Sequence, residues 1–117
     1  MTKTKYNSKK VVIDNINFSS KLEARFYVFL KDLVENLELQ IPFELQPKYK
    51  LGKKTIRPIS YVADFKFRFK GLTYVIDSKG METPVYKIKY KMLMYKYLNL
   101  NFYAVSSIKK LKEILDL

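Results

Sequence analysis

A chain of 117 residues, 48% of them apolar or aromatic, has room for one compact domain with a small core. It carries 23 Lys plus Arg against 11 Asp plus Glu, a formal net charge of +12, and it has neither Cys nor His. That excludes disulfides, thiolate nucleophiles, zinc ribbons, iron–sulfur clusters, Ser-His-Asp triads and histidine general bases, so any chemistry falls to carboxylates, lysines, hydroxyls, amides and oxygen-bound metals.

Residues 1–8 are polar and read as a flexible basic arm. Residues 10–13 and 16–18, around Asp14-Asn15, predict a β-hairpin. Leu22, Phe26, Leu30, Leu33 and Leu37 recur at helical spacing and predict a helix over 20–37. Ser19 or Ser20 caps it, and Ser20-x-x-Glu23 has the form of a capping box. Residues 43–51 read as extended, interrupted at Pro47, and Gly52-Lys53-Lys54 turns the chain. Residues 60–69 alternate: Tyr61, Ala63, Phe65, Phe67 and Phe69 point to one side, Val62, Asp64, Lys66 and Arg68 to the other. Lys70-Gly71 is a turn. Residues 72–79 form the next strand, with Tyr74 and Ile76 inward and Thr73, Val75, Asp77 and Lys79 on the opposite face.

Thr83-Pro84 opens a second helix that runs to about Leu98. Its two apolar stripes, one through Tyr86, Tyr90, Leu93 and Tyr97 and one through Val85, Ile88, Met92 and Tyr95, predict burial on both faces. Residues 101–105 form a short strand, and Ser107 caps a last amphipathic helix. The order hairpin, α, β, β, β, α, β, α predicts a single α/β domain over 1–117, its mixed sheet flanked by helices.

Register arithmetic at Lys70-Gly71 is informative. A two-residue loop pairs Phe69 with Leu72 and Phe67 with Tyr74, which places Asp64 opposite Asp77. Opposed residues have Cβ atoms roughly 4.5–5.5 Å apart, and like charges there are destabilising. A bound divalent cation gives such a pair a reason. Lys79 falls on the same face as Asp77. With oxygen ligands and no His, the ion would be Mg²⁺ or Mn²⁺, able to bind a phosphate oxygen and acidify a water. Lys79 would orient or deprotonate that water or steady an oxyanion. A plainer reading uses the same residues. Asp64-x-Lys66 and Asp77-x-Lys79 are both acid-x-Lys triplets, Asp77 can simply end a strand, and Asp64 can be a solvated residue paired with Lys66 or Arg68.

The net charge points to a polyanion, nucleic acid before an acidic membrane surface. Its base is 20 Lys and 3 Arg. Lysine is a point charge for phosphates, whereas the arginine fork reads base edges, so recognition of backbone or shape is expected. An A/T codon bias would explain Lys over Arg but not base over acid. No apolar h-region follows the basic N-terminus and no apolar run approaches ~18 residues, so a soluble cytoplasmic protein is the default.

Several motifs taken together carry a resemblance: Phe18-x-Ser20-x-x-Glu23, Glu44-Leu45-Gln46-Pro47, Tyr61-x-Ala63-Asp64-Phe65, Asp77-x-Lys79-Gly80 and the lysine-rich helix that follows. Over about residues 6–105 the chain resembles a family of small phage proteins, long described as a domain of unknown function, of the PD-(D/E)XK nuclease superfamily. The resemblance implies a restriction-endonuclease-like αβββαβ core. It implies Asp64 and Asp77 as metal ligands, the Ser78 carbonyl as a further ligand, Lys79 as catalytic lysine and Glu23 as the acid contributed by the first helix. Ala63 stands where the superfamily's namesake proline would be, a position that varies widely.

For Glu23 the capping box remains a sufficient alternative. Gln46, on the strand before the acid hairpin, would hold a water or phosphate near the metal, or be an ordinary strand amide. Lys87, Lys89, Lys91 and Lys96 would touch DNA phosphates, or snorkel from a buried helix. The expectation is thus a Mg²⁺- or Mn²⁺-dependent endodeoxyribonuclease of phage origin, with branched or Holliday-junction DNA a compatible substrate. A junction resolvase would act as a homodimer, one active site per cut strand. The alternative is a non-catalytic nucleic-acid- or protein-binding module on the same fold.

Overall fold

In a computed structural model, which describes residues 10–117, the chain folds as a mixed four-stranded sheet with three helices and an N-terminal hairpin. The basic arm expected at 1–8 lies outside the described residues. Strands β1 (Val11–Ile13) and β2 (Ile16–Phe18) pair across Asp14 and Asn15, at φ 53 and 63. Two-residue hairpin turns need that left-handed pair, and Asp and Asn tolerate it best after Gly.

Helix α1 (Lys21–Leu30) is N-capped by Ser20 and buries Glu23, Ala24, Phe26 and Leu30. It is shorter than the leucine spacing predicts. The N–H groups of Leu33 and Val34 both bond to the Leu30 carbonyl, closing a tight turn, and β3 (Glu35–Gln46) begins at once. Leu37 therefore serves the strand: Leu37, Leu39, Ile41, Phe43 and Leu45 are all half-buried at alternate positions. Strands β4 (Tyr49–Leu51) and β5 (Lys54–Ile56) form a separate small hairpin. Then come β6 (Ile59–Phe69), β7 (Leu72–Ser78), α2 (Pro84–Lys96), β8 (Phe102–Val105) and α3 (Ile108–Ile114).

The sheet order is β3-β6-β7-β8. The first two pairings are antiparallel, and β8 joins β7 in parallel through the α2 crossover. The β6–β7 register is the one the turn predicts: Phe69 with Leu72, Phe67 with Tyr74, Phe65 with Ile76. The core has two parts. Phe26, Leu30, Phe65, Phe67, Phe69, Tyr74, Ile76 and Leu111 join α1 and α3 to one side of the sheet. Tyr61, Ala63, Val75, Tyr86, Leu93 and Phe102 join α2 to the other.

The division corrects two expectations. Tyr61 and Ala63 do not share a side with the three phenylalanines that follow. The β3–β6 ladder skips Gln40 and Asp64 without losing register, and Gln40 is left-handed, at φ 53. Across that point Leu37 and Leu39 pack with the first cluster, Phe43 and Leu45 with the second. Both strands thus change sides there. Helix α2 buries one stripe only: Tyr86 and Leu93 are inside, but Val85, Ile88 and Tyr95 stand exposed, Tyr95 at 84%. Among the described residues, only the sheet side of α2 meets apolar partners. Among the described residues, no helix is long and apolar enough to cross a membrane.

Candidate active site

The β6–β7 ladder ends at Phe65 and Ile76. Beyond it β6 continues beside β3, and β7 continues beside β8 as far as Ser78. The strands fork, and Asp64 and Asp77 stand at the fork. A fork strands backbone N–H groups that the ladder would otherwise pair. Asp77 Oδ1 accepts the Asp64 N–H at 2.8 Å, and Asp64 Oδ2 accepts the Ser78 N–H at 2.9 Å and the Ser78 hydroxyl at 2.8 Å. Asp77 Oδ2 accepts from the Tyr61 hydroxyl.

The expected juxtaposition therefore exists, with one correction. The two carboxylates do not project side by side from one face. Asp64 turns toward Gln40 and α1, while Asp77 turns toward Tyr61 and the α2 layer. The cause is the fork, which ends regular alternation at this pair. Ser78, expected through its carbonyl, meets Asp64 through its N–H and hydroxyl.

Glu23 is only 4% exposed and does two jobs. Its Oε1 accepts the Ser19 N–H at 3.1 Å and the Ser19 hydroxyl at 2.8 Å, while its own N–H bonds to Ser20 Oγ at 3.1 Å. This is a capping box displaced by one residue, since the reciprocal bond goes to Ser19 and not to the cap Ser20. Its Oε2 accepts from Gln40 Nε2 at 2.8 Å, and that same nitrogen lies 3.4 Å from Asp64 Oδ1. Gln40 thus links the helix acid to the strand acid. Gln46 does not take this place. It ends β3 opposite Ile59, five residues along β6 from Asp64, or about 17 Å of strand. Gln40 escaped sequence reading: the register shift between Glu35 and Glu38 decides which residue of β3 comes beside Asp64, and no residue pattern announces it.

Burial sets the electrostatics. Asp77 is 3% exposed, and loss of solvent, with the Asp64 charge second, raises its carboxyl from 3.8 to about 6. The Tyr61 hydroxyl, the Asp64 N–H and Lys79 oppose that rise. Burial, then Asp64, also raises Glu23. Tyr61 is held protonated by burial and by its bond to Asp77, and burial lifts Tyr86 to about 12. The Asp64 charge opposes ionisation of Asp77 and of Glu23, and a proton or a cation relieves it.

Lys79 places its ammonium 4.4 Å from the centroid of the Tyr86 ring, a cation–π contact, and its N–H bonds to the Val105 carbonyl at 2.8 Å. Beside it opens a cleft of about 260 Å³, also lined by Gly80, Glu82, Ser106 and Lys110. Lys110, on the first turn of α3, was not among the residues the sequence singled out. Of the α2 lysines, Lys89 is committed elsewhere: its ammonium bonds to the Ser60 carbonyl at 3.0 Å and ties helix to sheet. Lys96 lies 3.7 Å from Glu44. Lys87 and Lys91 are exposed.

Among the described residues no three acidic side chains converge as a ready metal cage. The donor set nevertheless fits a hard cation. Mg²⁺ usually takes one or two carboxylates and keeps several waters, which the Asp64–Asp77 pair can provide for, with Glu23 held nearby through Gln40. Their mutual repulsion is what such a charge would offset.

The fold and site define a basic α/β protein with a carboxylate pair at a strand fork, one of the two acids buried, and a lysine beside it. A family model described as a protein of unknown function (DUF1064) matches residues 3–113, and the chain belongs to that family. Comparison with curated proteins and with solved structures returns no match.

Proposed function

We propose that the protein is a metal-dependent DNA endonuclease with a restriction-endonuclease-like αβββαβ core, of the PD-(D/E)XK type. The observation that carries this reading is the hydrogen-bonded Asp64–Asp77 pair at the fork, with Asp77 buried and Lys79 two residues further on. Hydrogen bonding alone does not account for the charges. An asparagine oxygen would accept the same N–H groups without a buried ionisable group. Charge kept where it is costly is a mark of functional sites. The order α1, β3, β6, β7, α2, β8 supports the core topology, with the two small hairpins and α3 as additions.

Asp64 and Asp77 would hold Mg²⁺ or Mn²⁺, and Glu23, steadied by Gln40, would serve its outer ligands. When bound, such an ion supplies an acidified water and offsets charge on a phosphodiester. Lys79, kept in place by the Tyr86 ring, is set to orient the attacking water or to bind a phosphate oxygen. The net charge of +12, mostly lysine, grips the DNA backbone, and branched DNA suits such shape reading. Cutting a junction symmetrically would call for a homodimer.

A second reading, a module that grips nucleic acid or a protein without cutting, is favoured by one observation. The carboxylates are already satisfied by Tyr61, Ser78 and the Asp64 N–H. Supercoiled plasmid and synthetic four-way junctions, incubated with Mg²⁺, Mn²⁺ or EDTA, separate the two. Metal-dependent cutting that Asp77→Ala abolishes is the expected result. Binding without cutting in every metal would establish the module instead.

A further inference from the structure

We infer that the groove between α2 and β8 receives an unpaired nucleotide, its base stacked against Tyr90 and its phosphates held by Lys87 and Lys91. The groove measures about 500 Å³, within the range of about 300–1,000 Å³ usual for small-molecule sites. Tyr90 is 39% exposed, so part of its surface faces the solvent. The ring is not loose: it packs between Tyr86 and Phe102, with centroids 6.0 and 5.9 Å away. Tyr103 reaches the groove from β8, but its ring leans on Tyr74 on the other side of the sheet. A half-exposed aromatic ring on a firm backing, with lysines along the rim, forms the surface that single-stranded nucleic acid prefers: stacking for a base, point charges for phosphates. Glu82 is the one acid in the lining, and two lysines outweigh it.

Position ties the groove to the proposed chemistry. Glu82 and Ala104 line both this groove and the cleft beside Lys79. A strand whose phosphate lies at Lys79 therefore continues directly into the aromatic groove. A base still paired in a duplex cannot offer its face to a tyrosine, so the strand must be unpaired there, as at a flap, a tail or the open centre of a junction. The inference rests on the nucleic-acid partner proposed above but not on cutting.

The test is binding by fluorescence anisotropy in EDTA, with a labelled single strand, the blunt duplex of the same sequence and that duplex with a single-stranded tail. The single strand and the tailed duplex should bind more tightly than the blunt duplex. Tyr90→Ala should weaken both by about fivefold, the loss of one stacked base. Blunt-duplex affinity should hold, and Tyr90→Phe should keep wild-type binding. The chain has no Trp. Tyr90→Trp therefore introduces a lone fluorophore, which the single strand should quench and the blunt duplex should not. Equal affinity for all three DNAs, with no effect of Tyr90→Ala, would overturn the inference. Metal-dependent cutting would survive that result, whereas strand-selective binding without cutting would overturn only the nuclease reading.

Discussion

Asp64 and Asp77 each accept the N–H that the opposite strand leaves unpaired at the fork: Asp77 Oδ1 from Asp64 at 2.8 Å, and Asp64 Oδ2 from Ser78 at 2.9 Å. The exchange places two carboxylates where the sheet would normally place none. It also keeps them within range of each other's charge, and the stability of the protein should register that.

Folding raises the Asp77 carboxyl from 3.8 to about 6. Between those pH values the folded state holds a proton that the unfolded state has released, so stability falls as pH rises through the interval. The full difference corresponds to roughly 3 kcal/mol. Glu23, also raised, adds to it with the same sign. Asp77→Asn still accepts the Asp64 N–H and can donate to the Tyr61 oxygen. In urea unfolding without divalent ions, wild type should lose roughly 3 kcal/mol relative to Asp77→Asn between pH 4 and pH 7. Parallel pH profiles would contradict the burial and pairing described here.

A divalent cation should replace the proton. At a hundredfold excess over its dissociation constant, Mg²⁺ or Mn²⁺ would add about 2.7 kcal/mol, or roughly 10 °C in Tm for a chain of this size. Asp64→Asn and Asp77→Asn should each abolish that rise. Lys79→Ala should keep the rise and lose cutting, which separates holding the ion from using it. Equal metal shifts in wild type and in both Asn variants would remove the ion from this site.

Gln40 combines two properties that one substitution can part. Its φ of 53 costs an L-residue about 1–2 kcal/mol, and its amide joins Glu23 to Asp64. Gln40→Gly relieves the backbone, offset by about 0.5–1 kcal/mol of chain entropy. Stability should therefore change by less than about 1 kcal/mol, while the metal-induced rise in Tm and the cutting rate both drop. Gln46→Ala should leave all three unchanged. Thermal melts with and without Mn²⁺, beside a plasmid-cutting assay, would show it. The opposite pattern would give the role back to Gln46.

What the sequence revealed was local or arithmetic. Asp14-Asn15 and Lys70-Gly71 announce two-residue turns, and the second turn fixes the pairing down to Phe65 and Ile76. That is why Asp64, Asp77 and Lys79 could be placed together from their numbers. The missed features depend on what surrounds a strand. Leu30, Leu33 and Leu37 suit a helical period, but Leu37 and Leu39 also suit an alternating one, and packing on the core chose the strand. No pattern shows that β3 and β6 change sides at Gln40 and Asp64, since the residue parity stays the same across the switch. The fork and Gln40's reach to Glu23 both follow from that event, so the site's partners were hidden while its acids were visible. The outer stripe of α2 misled for a simpler reason: apolar residues do not reveal whether anything covers them.

The turn itself offers the last test. Lys70 and Gly71 have φ of 50 and 81, and an added Cβ at Gly71 would meet nothing within 4 Å. Gly71→Ala should therefore cost backbone conformation alone, about 1–2 kcal/mol. Gly80→Ala, in equally open space but without a left-handed φ, should cost less than about 0.5 kcal/mol. Register is a separate matter from the turn's stability. A slip of one residue would drive either Phe65 and Phe67 or Tyr74 and Ile76 out of the core, a far larger loss than the strained turn. Gly71→Ala should accordingly melt lower than wild type yet keep the same Mn²⁺-induced rise. If that rise vanished with the glycine, the turn and not the core would be what holds Asp64 against Asp77.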